Sequence, residues 1–296
     1  MSDAPTTGKL ATRFAPSPTG RLHLGHGYSA LKAFDLAQRT GGRFLLRFED
    51  IDSGRVRDAY YPGIEEDLHW LGIEWDETPL RQSERFTAYG EALDRMKARD
   101  LVYPCFCTRK EIAAEIAASA TAPHGPDGPL YPGTCRRLTA DERETRLAEE
   151  DHAWRIDMAK AASLAGELYW EDDEAGRVAA QPQIHGDVVL ARKDVPTSYH
   201  LAVTVDDAAQ GVTDIVRGSD LFAAAHIHRL LQHLLGLQVP RYHHHRLIED
   251  EDGKRLAKRD DARSLAALRE TGIAAADILS ALRGNPPDIG KLTAST

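Results

Sequence analysis

The chain has 296 residues, 42% of them apolar and 28% charged, the profile of a globular protein long enough to hold two domains. Its formal net charge of −9 excludes indiscriminate coating of nucleic acid, which needs a strong basic field, and leaves room only for selective contact through local patches. Three cysteines are too few for a disulfide framework, no apolar run approaches a membrane span, and the first residues lack the layout of a signal peptide, so a cytoplasmic protein is expected.

The apolar run 10–14 reads as a buried strand. Pro16-Ser17-Pro18-Thr19-Gly20-Arg21-Leu22-His23-Leu24-Gly25-His26 follows, and its prolines and glycines forbid regular structure at the start. A helix is predicted over 28–39. A strand thus ends, the chain turns sharply, and a helix begins with two imidazoles at its mouth. Unpaired N–H groups and the partial positive charge of a helix N-terminus make this a natural phosphate seat, with Gly25 open to close approach of a phosphate or a flat ring. Gly41-Gly42 stops the helix, and 43–48 is a second strand ending in Glu49-Asp50. Helices over 60–71 and 84–99 and a short strand over 101–105 follow. Strands alternating with helices imply parallel βαβ units, in which ligands sit beyond the carboxyl ends of the strands.

The rhythm changes after Tyr103. Residues 105–183 read as an insertion with an irregular Ala/Pro/Gly-rich loop over 117–130 and a charged helix over 138–149, its N-cap Thr139 and capping-box partner Glu142. Short strands over 153–158 and 167–171 form a small separate layer. All three cysteines, Cys105, Cys107 and Cys135, lie here. Their C-x-C…C spacing suggests three soft ligands for one Zn²⁺, with buried free thiols as the alternative; coordination chemistry alone selects His124 or His152 as the fourth ligand. Strand pattern returns at 187–191, 199–205 and 212–216. Arg217-Gly218-Ser219-Asp220 leads into a helix over 221–235 capped by Ser219 or Asp220 and stopped by Gly236. Then come a strand over 241–248, a charged loop over 249–259, and two short helices over 264–283. Lys254, Arg255, Lys258 and Arg259 in that loop could neutralise a triphosphate or be a solvated basic run. Glu49 suits a substrate ammonium or a turn cap. Arg13 and Arg217 suit a dicarboxylate, or each a surface salt bridge. His243-His244-His245 divides across two strand faces and reads as structural, and His226 and His228 as packing or surface residues.

Together these features resemble the catalytic core of class I aminoacyl-tRNA synthetases of the glutamyl branch. Arg13-Phe14-Ala15-Pro16-Ser17-Pro18-Thr19-Gly20, followed by His23-Leu24-Gly25-His26, is similar to that branch's HIGH signature, and Phe48-Glu49-Asp50-Ile51-Asp52 to its next strand end. Tyr199-His200-Leu201-Ala202-Val203, Val205-Asp206-Asp207 and Gly211-Val212-Thr213-Asp214-Ile215-Val216-Arg217-Gly218 resemble its second half. Leu256-Ala257-Lys258-Arg259 falls where the KMSKS loop belongs. Full glutamyl enzymes carry a long helical anticodon-binding region after this loop, whereas only 260–296 follow here. The chain therefore resembles the truncated branch that glutamylates the queuosine base in the anticodon of tRNA(Asp).

The resemblance implies an α/β, Rossmann-like catalytic core in two halves, 9–104 and 185–245. It implies an inserted zinc-containing subdomain, acceptor-binding-like, at 105–184, and a KMSKS-like loop with a short helical part at 246–296 and no anticodon-binding domain. Arg13, Phe14, Ala15, Pro16, Ser17, Glu49, Tyr199 and Arg217 are implied to bind L-glutamate. His23, Gly25, His26 and Lys258 are implied to bind ATP, delivered with Mg²⁺, with His23, His26 and Lys258 catalytic. Cys105, Cys107, Tyr131 and Cys135 are implied as the Zn²⁺ ligands, Tyr131 taking the place given above to histidine. The implied reaction forms glutamyl-adenylate and passes glutamate to queuosine-modified tRNA(Asp), in a monomer with no membrane partner. The alternatives are a minimal glutamyl-tRNA synthetase charging the 3′ end and a non-catalytic RNA-binding paralogue. Arg255 and Ala257 replace the usual first Lys and the Ser of the KMSKS loop, His200 stands where Asn is common, and the loop 117–130 lengthens the zinc knob.

Overall fold

The structure, a computed structural model, describes residues 9–118, 124–248, 264–284 and 287. Strand β1 (Ala11–Phe14) is buried along its length. Helix α1 (Leu24–Thr40) begins four residues earlier than the apolar period indicates, because His23 caps it. The His23 side chain accepts from the Gly25 N–H, and the His26 side chain accepts from the His23 N–H, a reciprocal capping box. Gly41 at φ 62° closes the helix in the left-handed region. Strand β2 (Arg43–Phe48), helix α2 (Tyr60–Trp70), strand β3 (Leu80–Arg81) and helix α3 (Phe86–Lys97) continue the alternation.

Strand β4 (Val102–Cys105), helix α4 (Arg109–Ala118) and the short strands β5 (His124–Gly125) and β6 (Gly128–Pro129) come next. The stretch expected to be irregular over 117–130 thus carries a hairpin; 119–123 lie outside the described residues. Helix α5 (Ala140–Glu149) has Thr139 as N-cap with Glu142 completing the box, as its sequence predicts. Strand β7 (Ala153–Ile156), helix α6 (Met158–Ala165) and strands β8 (Tyr169–Asp172) and β9 (Gly176–Ala179) follow. Strand β10 (Val189–Ala191), helix α7 (Tyr199–Ala209), strand β11 (Asp214–Gly218), helix α8 (Ala224–Leu235), strand β12 (Arg241–His245) and helices α9 (Leu265–Glu270) and α10 (Ala275–Arg283) complete the described chain.

Strands β1, β2 and β3 pair in parallel, as do β11, β12 and β8, with β9 antiparallel at the edge. The two halves meet where Thr213 donates its N–H to the Ala11 carbonyl at 3.0 Å and the Ala11 N–H donates to Thr213 Oγ1 at 2.9 Å. Four expectations are corrected. The segment 199–205 is helix, not strand. Its Val203, Thr204 and Val205 favour strand locally, but the segment is buried against α3 and α8, and that packing overrides propensity. Strand β8 belongs to the second-half sheet and not to a separate layer, while β10 joins β7 and β4 in an antiparallel sheet. Ser219 and Asp220 do not cap α8; residues 219–221 form a 3₁₀ turn and the α-helix starts after Ala223.

Apolar contacts explain the architecture. Leu31, Phe44 and Leu68 share one core with Leu265, Leu268 and Leu282, so α9 and α10 cover the first half of the sheet. Leu93, Met96, Leu101, Leu190, Leu201 and Ile227 form a second core beneath α7 and α8. Among the described residues no helix is long and apolar enough to cross a membrane.

Candidate active site

The ends of β1, β2 and β11 open with the starts of α1 and α7 on one cleft of about 550 Å³. It is lined by Arg13, Phe14, Ala15, Pro16 and Ser17, by His23, Gly25 and His26, and by Glu49, Tyr199 and Arg217. Every residue singled out above for glutamate or ATP is thus brought together, except Lys258. That lysine lies outside the described residues, as do Lys254, Arg255, Ala257, Arg259 and Arg263.

Arg13 is 5% exposed and heavily engaged. Its Nε and Nη2 donate to the two oxygens of Asp207 at 2.9 and 3.3 Å, and Nη1 donates to the Val216 carbonyl at 3.3 Å. The same Asp207 accepts from Nη1 of Arg47 at 2.7 Å, and Arg47, fully buried, also reaches Glu49 at 3.4 Å. Two cations and two carboxylates therefore balance, as burial demands. Burial pushes the Asp207 carboxyl up, but the guanidiniums of Arg13 and Arg47 outweigh it and hold the group below the usual range. Burial pushes the Glu49 carboxyl up against the pull of Arg47 and Arg13.

Arg217, also 5% exposed, is held differently. Its Nε donates to His244 Nε2 and its Nη1 to His228 Nδ1, both at 3.2 Å, and its guanidinium lies 4.9 Å from the centre of the Tyr242 ring. Its Nη2 is buried without a hydrogen-bond partner. His244 Nδ1 donates to Asp172 at 2.7 Å, and His228 Nε2 lies 3.2 Å from His200 Nδ1. Arginine only donates, so both imidazoles accept and are neutral. Burial and the charge of Arg217 hold His228 well below the ordinary histidine value and His244 at about 4. Burial, and then His185, hold His200 at about 4. His228 and His244 are buried, in keeping with the packing and structural readings given above, and both also touch a cleft arginine. The available signal was strand register: pairing 214–218 with 241–245 sets His244 beside Arg217.

At the other end of the cleft the His23 and His26 rings stack 3.7 Å apart. Each Nδ1 accepts a backbone N–H, at 3.1 and 3.3 Å, so in the neutral rings the proton sits on Nε2. A β-carbon on Gly25 would press within 3.0 Å of the His23 ring, so the flat ring that needs this glycine is the capping imidazole itself. Asp50, beside Glu49, accepts from Tyr61, from the Ser83 hydroxyl and from the Ser83 N–H at 2.7 to 2.8 Å, which ties down the turn after β3.

The three cysteine Sγ atoms lie within 4.8 Å of one another. The Tyr131 hydroxyl is 3.5 Å from the sulfurs of Cys105 and Cys107, and it accepts the Cys135 N–H at 2.9 Å. Tetrahedral ligands at about 2.3 Å for sulfur and about 2.0–2.2 Å for oxygen stand about 3.5–3.7 Å apart, so the 3.4 Å between Cys107 and Cys135 and the two Tyr131 separations are compatible with a metal ion held by the cysteine triad. Burial pushes the Cys107 thiol up to about 12, whereas at Cys135 burial is outweighed by hydrogen bonds with Tyr131 and the Phe106 N–H, which hold that thiol below its usual value. His124 and His152 do not join the set. His124 lies in the β5–β6 hairpin, and His152 packs on Phe106 and Trp154 with Nδ1 at the Glu150 carbonyl.

A parallel sheet opening on such a cleft defines the catalytic domain of a class I tRNA synthetase, and residues 9–285 match the family model described as tRNA synthetases class I (E and Q), catalytic domain. The chain is 51% identical over 278 residues to the glutamyl-Q tRNA(Asp) synthetase of Rhodobacter capsulatus, a match covering 91% of this chain and 98% of the relative. It is 44% identical to the protein of that name from Deinococcus radiodurans, over 93% of this chain and 88% of the relative. The chain belongs to the glutamyl-Q tRNA(Asp) synthetase family of class I tRNA synthetases. A solved glutamate tRNA ligase from Elizabethkingia meningosepticum, in complex with its amino acid, is 31% identical with a TM-score of 0.73. That match covers 86% of this chain and 52% of the ligase, so the chain spans about half of the larger enzyme.

Proposed function

We propose that the protein activates L-glutamate with ATP and transfers it to the queuosine base in the anticodon of tRNA(Asp). One observation supports this above the others: a single cleft joins a carboxylate-seeking end, Arg217 with its unpartnered Nη2, to a phosphate-seeking end at the N-terminus of α1. Arg217 takes a glutamate carboxylate and Glu49 the ammonium, while Arg13, Phe14, Ala15, Pro16, Ser17 and Tyr199 wall the pocket. His23 and His26 present Nε2–H groups, and Lys258 a cation, to the phosphates of ATP, which arrives with Mg²⁺. An α-carboxylate oxygen attacks the α-phosphorus, the bond to the bridging oxygen breaks, and pyrophosphate leaves with glutamyl-adenylate formed. A hydroxyl of the queuosine base then attacks the acyl carbon, forming an ester and releasing AMP and a proton. Positioning and charge stabilisation supply the catalysis, with no covalent nucleophile from the protein.

Cys105, Cys107, Cys135 and Tyr131 hold one Zn²⁺, which ties the end of β4 to the segment before α5 within an inserted subdomain at 105–184. Metal analysis is expected to give about one zinc per chain, lost in Cys135→Ser. The protein acts as a monomer in the cytoplasm. The deciding experiment uses labelled glutamate with tRNA(Asp) carrying or lacking queuosine. Label that requires queuosine and survives removal of the 3′ adenosine is expected. Label lost with that adenosine would mean charging of the 3′ end instead.

A further inference from the structure

The two cleft arginines are secured by opposite means. Arg13 is clamped by a carboxylate, Asp207, in a bidentate contact, and Asp207 is shared with Arg47. Among the described residues no carboxylate forms an ion pair with Arg217; two imidazoles hold its Nε and Nη1. A carboxylate there would fix the guanidinium equally well, but it would neutralise the cation and compete with an anionic ligand. Neutral acceptors fix the geometry and leave the full charge, with one nitrogen unpartnered.

We propose that His228 and His244 are positioning residues that aim Arg217 at the glutamate carboxylate while leaving its charge unspent, an inference that rests on Arg217 being the carboxylate-binding residue. Asp172 acts one step further back. By accepting from His244 Nδ1 it holds the proton on that atom and keeps Nε2 free to accept from Arg217. His200 stands in the same relation to His228.

The test exploits isosteric pairs in the full chain, read by ATP–pyrophosphate exchange with the KM for glutamate, the KM for ATP, kcat and the melting temperature measured for each. Asn at 228 and Gln at 244 place a neutral oxygen where the accepting nitrogen now sits. Asp and Glu place a charged one there. His228→Asn and His244→Gln are expected to keep the KM for glutamate within about threefold of the parent, whereas His228→Asp raises it about tenfold or more with the KM for ATP and the melting temperature little changed; His244→Glu raises it too but also melts lower, because its carboxylate meets Asp172. At 228 a purely structural role would not separate neutral from charged oxygen, so equal KM values for His228→Asn and His228→Asp overturn the proposal. Arg217→Ala serves as the reference: if it leaves the KM for glutamate unchanged, the assignment of Arg217 itself fails. If only the histidine pairs are silent, the positioning role alone fails.

Discussion

The two ends of the cleft are built on different length scales. At the phosphate end His23, Gly25 and His26 secure one another within one helical turn. At the carboxylate end Arg13 is fixed by Asp207, 194 residues away, and Arg217 by His228 and His244 from a helix and a neighbouring strand. The first exists as soon as α1 starts. The second exists only once β1, β11, β12, α7 and α8 have closed on each other. Loss of the buried counter-charge at the carboxylate end should therefore cost folding, and damage at the phosphate end should cost rate.

The largest expected effect tests the first half of that contrast. Asp207→Ala leaves Arg13 and Arg47 buried together without their shared counter-charge. Breaking a buried ion pair on one side destabilises by about 3–5 kcal/mol, so a large fall in the urea midpoint is expected. An Asp207→Ala protein that unfolds like the parent would break the comparison. The second half is tested by His26→Ala. Removing a preorganised donor to developing phosphate charge lowers exchange about 10²–10³-fold, while loss of the local cap costs only about 1 kcal/mol of stability. Lys258→Ala is expected to fall with His26→Ala in rate and to leave melting unchanged.

The same difference of scale decides what could be read from sequence. The strand–turn–helix around His23 and the capping box at Thr139 and Glu142 are local patterns, and both are found where the residues place them. All the cleft residues expected at strand ends do line one cavity, because parallel sheets bring such ends together whatever the details. What local pattern could not give was the partner of each charge. Arg47 and Asp207 sit in an apolar strand and a buried helix whose β-branched residues mimic a strand, so the ion network joining them has no local signature. The contacts of His228 and His244 with Arg217 had no local signature either, because they depend on register between β11 and β12 and on the roll of α8.

A pH experiment sharpens the contrast at a smaller scale. His244 is held at about 4 when folded, against an ordinary value of about 6.5 when unfolded. Between those values the unfolded chain binds more protons, so stability rises with pH; this contribution is complete above about 6.5 and is lost as pH falls toward 4. The loss amounts to about 2 kcal/mol by pH 5 for this group. Urea midpoints at pH 7.5 and 5 should therefore differ more for the parent than for His244→Gln, which has nothing to protonate at that position. Equal pH sensitivity of the two proteins would remove His244 from the carboxylate-end network.

The smallest expected effect on stability is the sharpest on meaning, because His23 is proposed to hold a second role beside the cap it forms. Its Nδ1 caps α1 by accepting from Gly25, and its Nε2–H is the group proposed above for a phosphate. Asparagine is among the strongest N-caps, and its Oδ1 can take over the capping bond while offering no donor in the position of Nε2. His23→Asn should thus melt within about 0.5 kcal/mol of the parent, since one cap replaces another. Exchange should nevertheless fall, because the amide cannot reach the site the imidazole reached. If His23→Asn loses both stability and rate, the cap cannot be separated from the phosphate contact, and the phosphate end is as interdependent as the carboxylate end. If it loses neither, His26 and the helix N-terminus carry the phosphate role alone, and His23 is there to start the helix on which they stand.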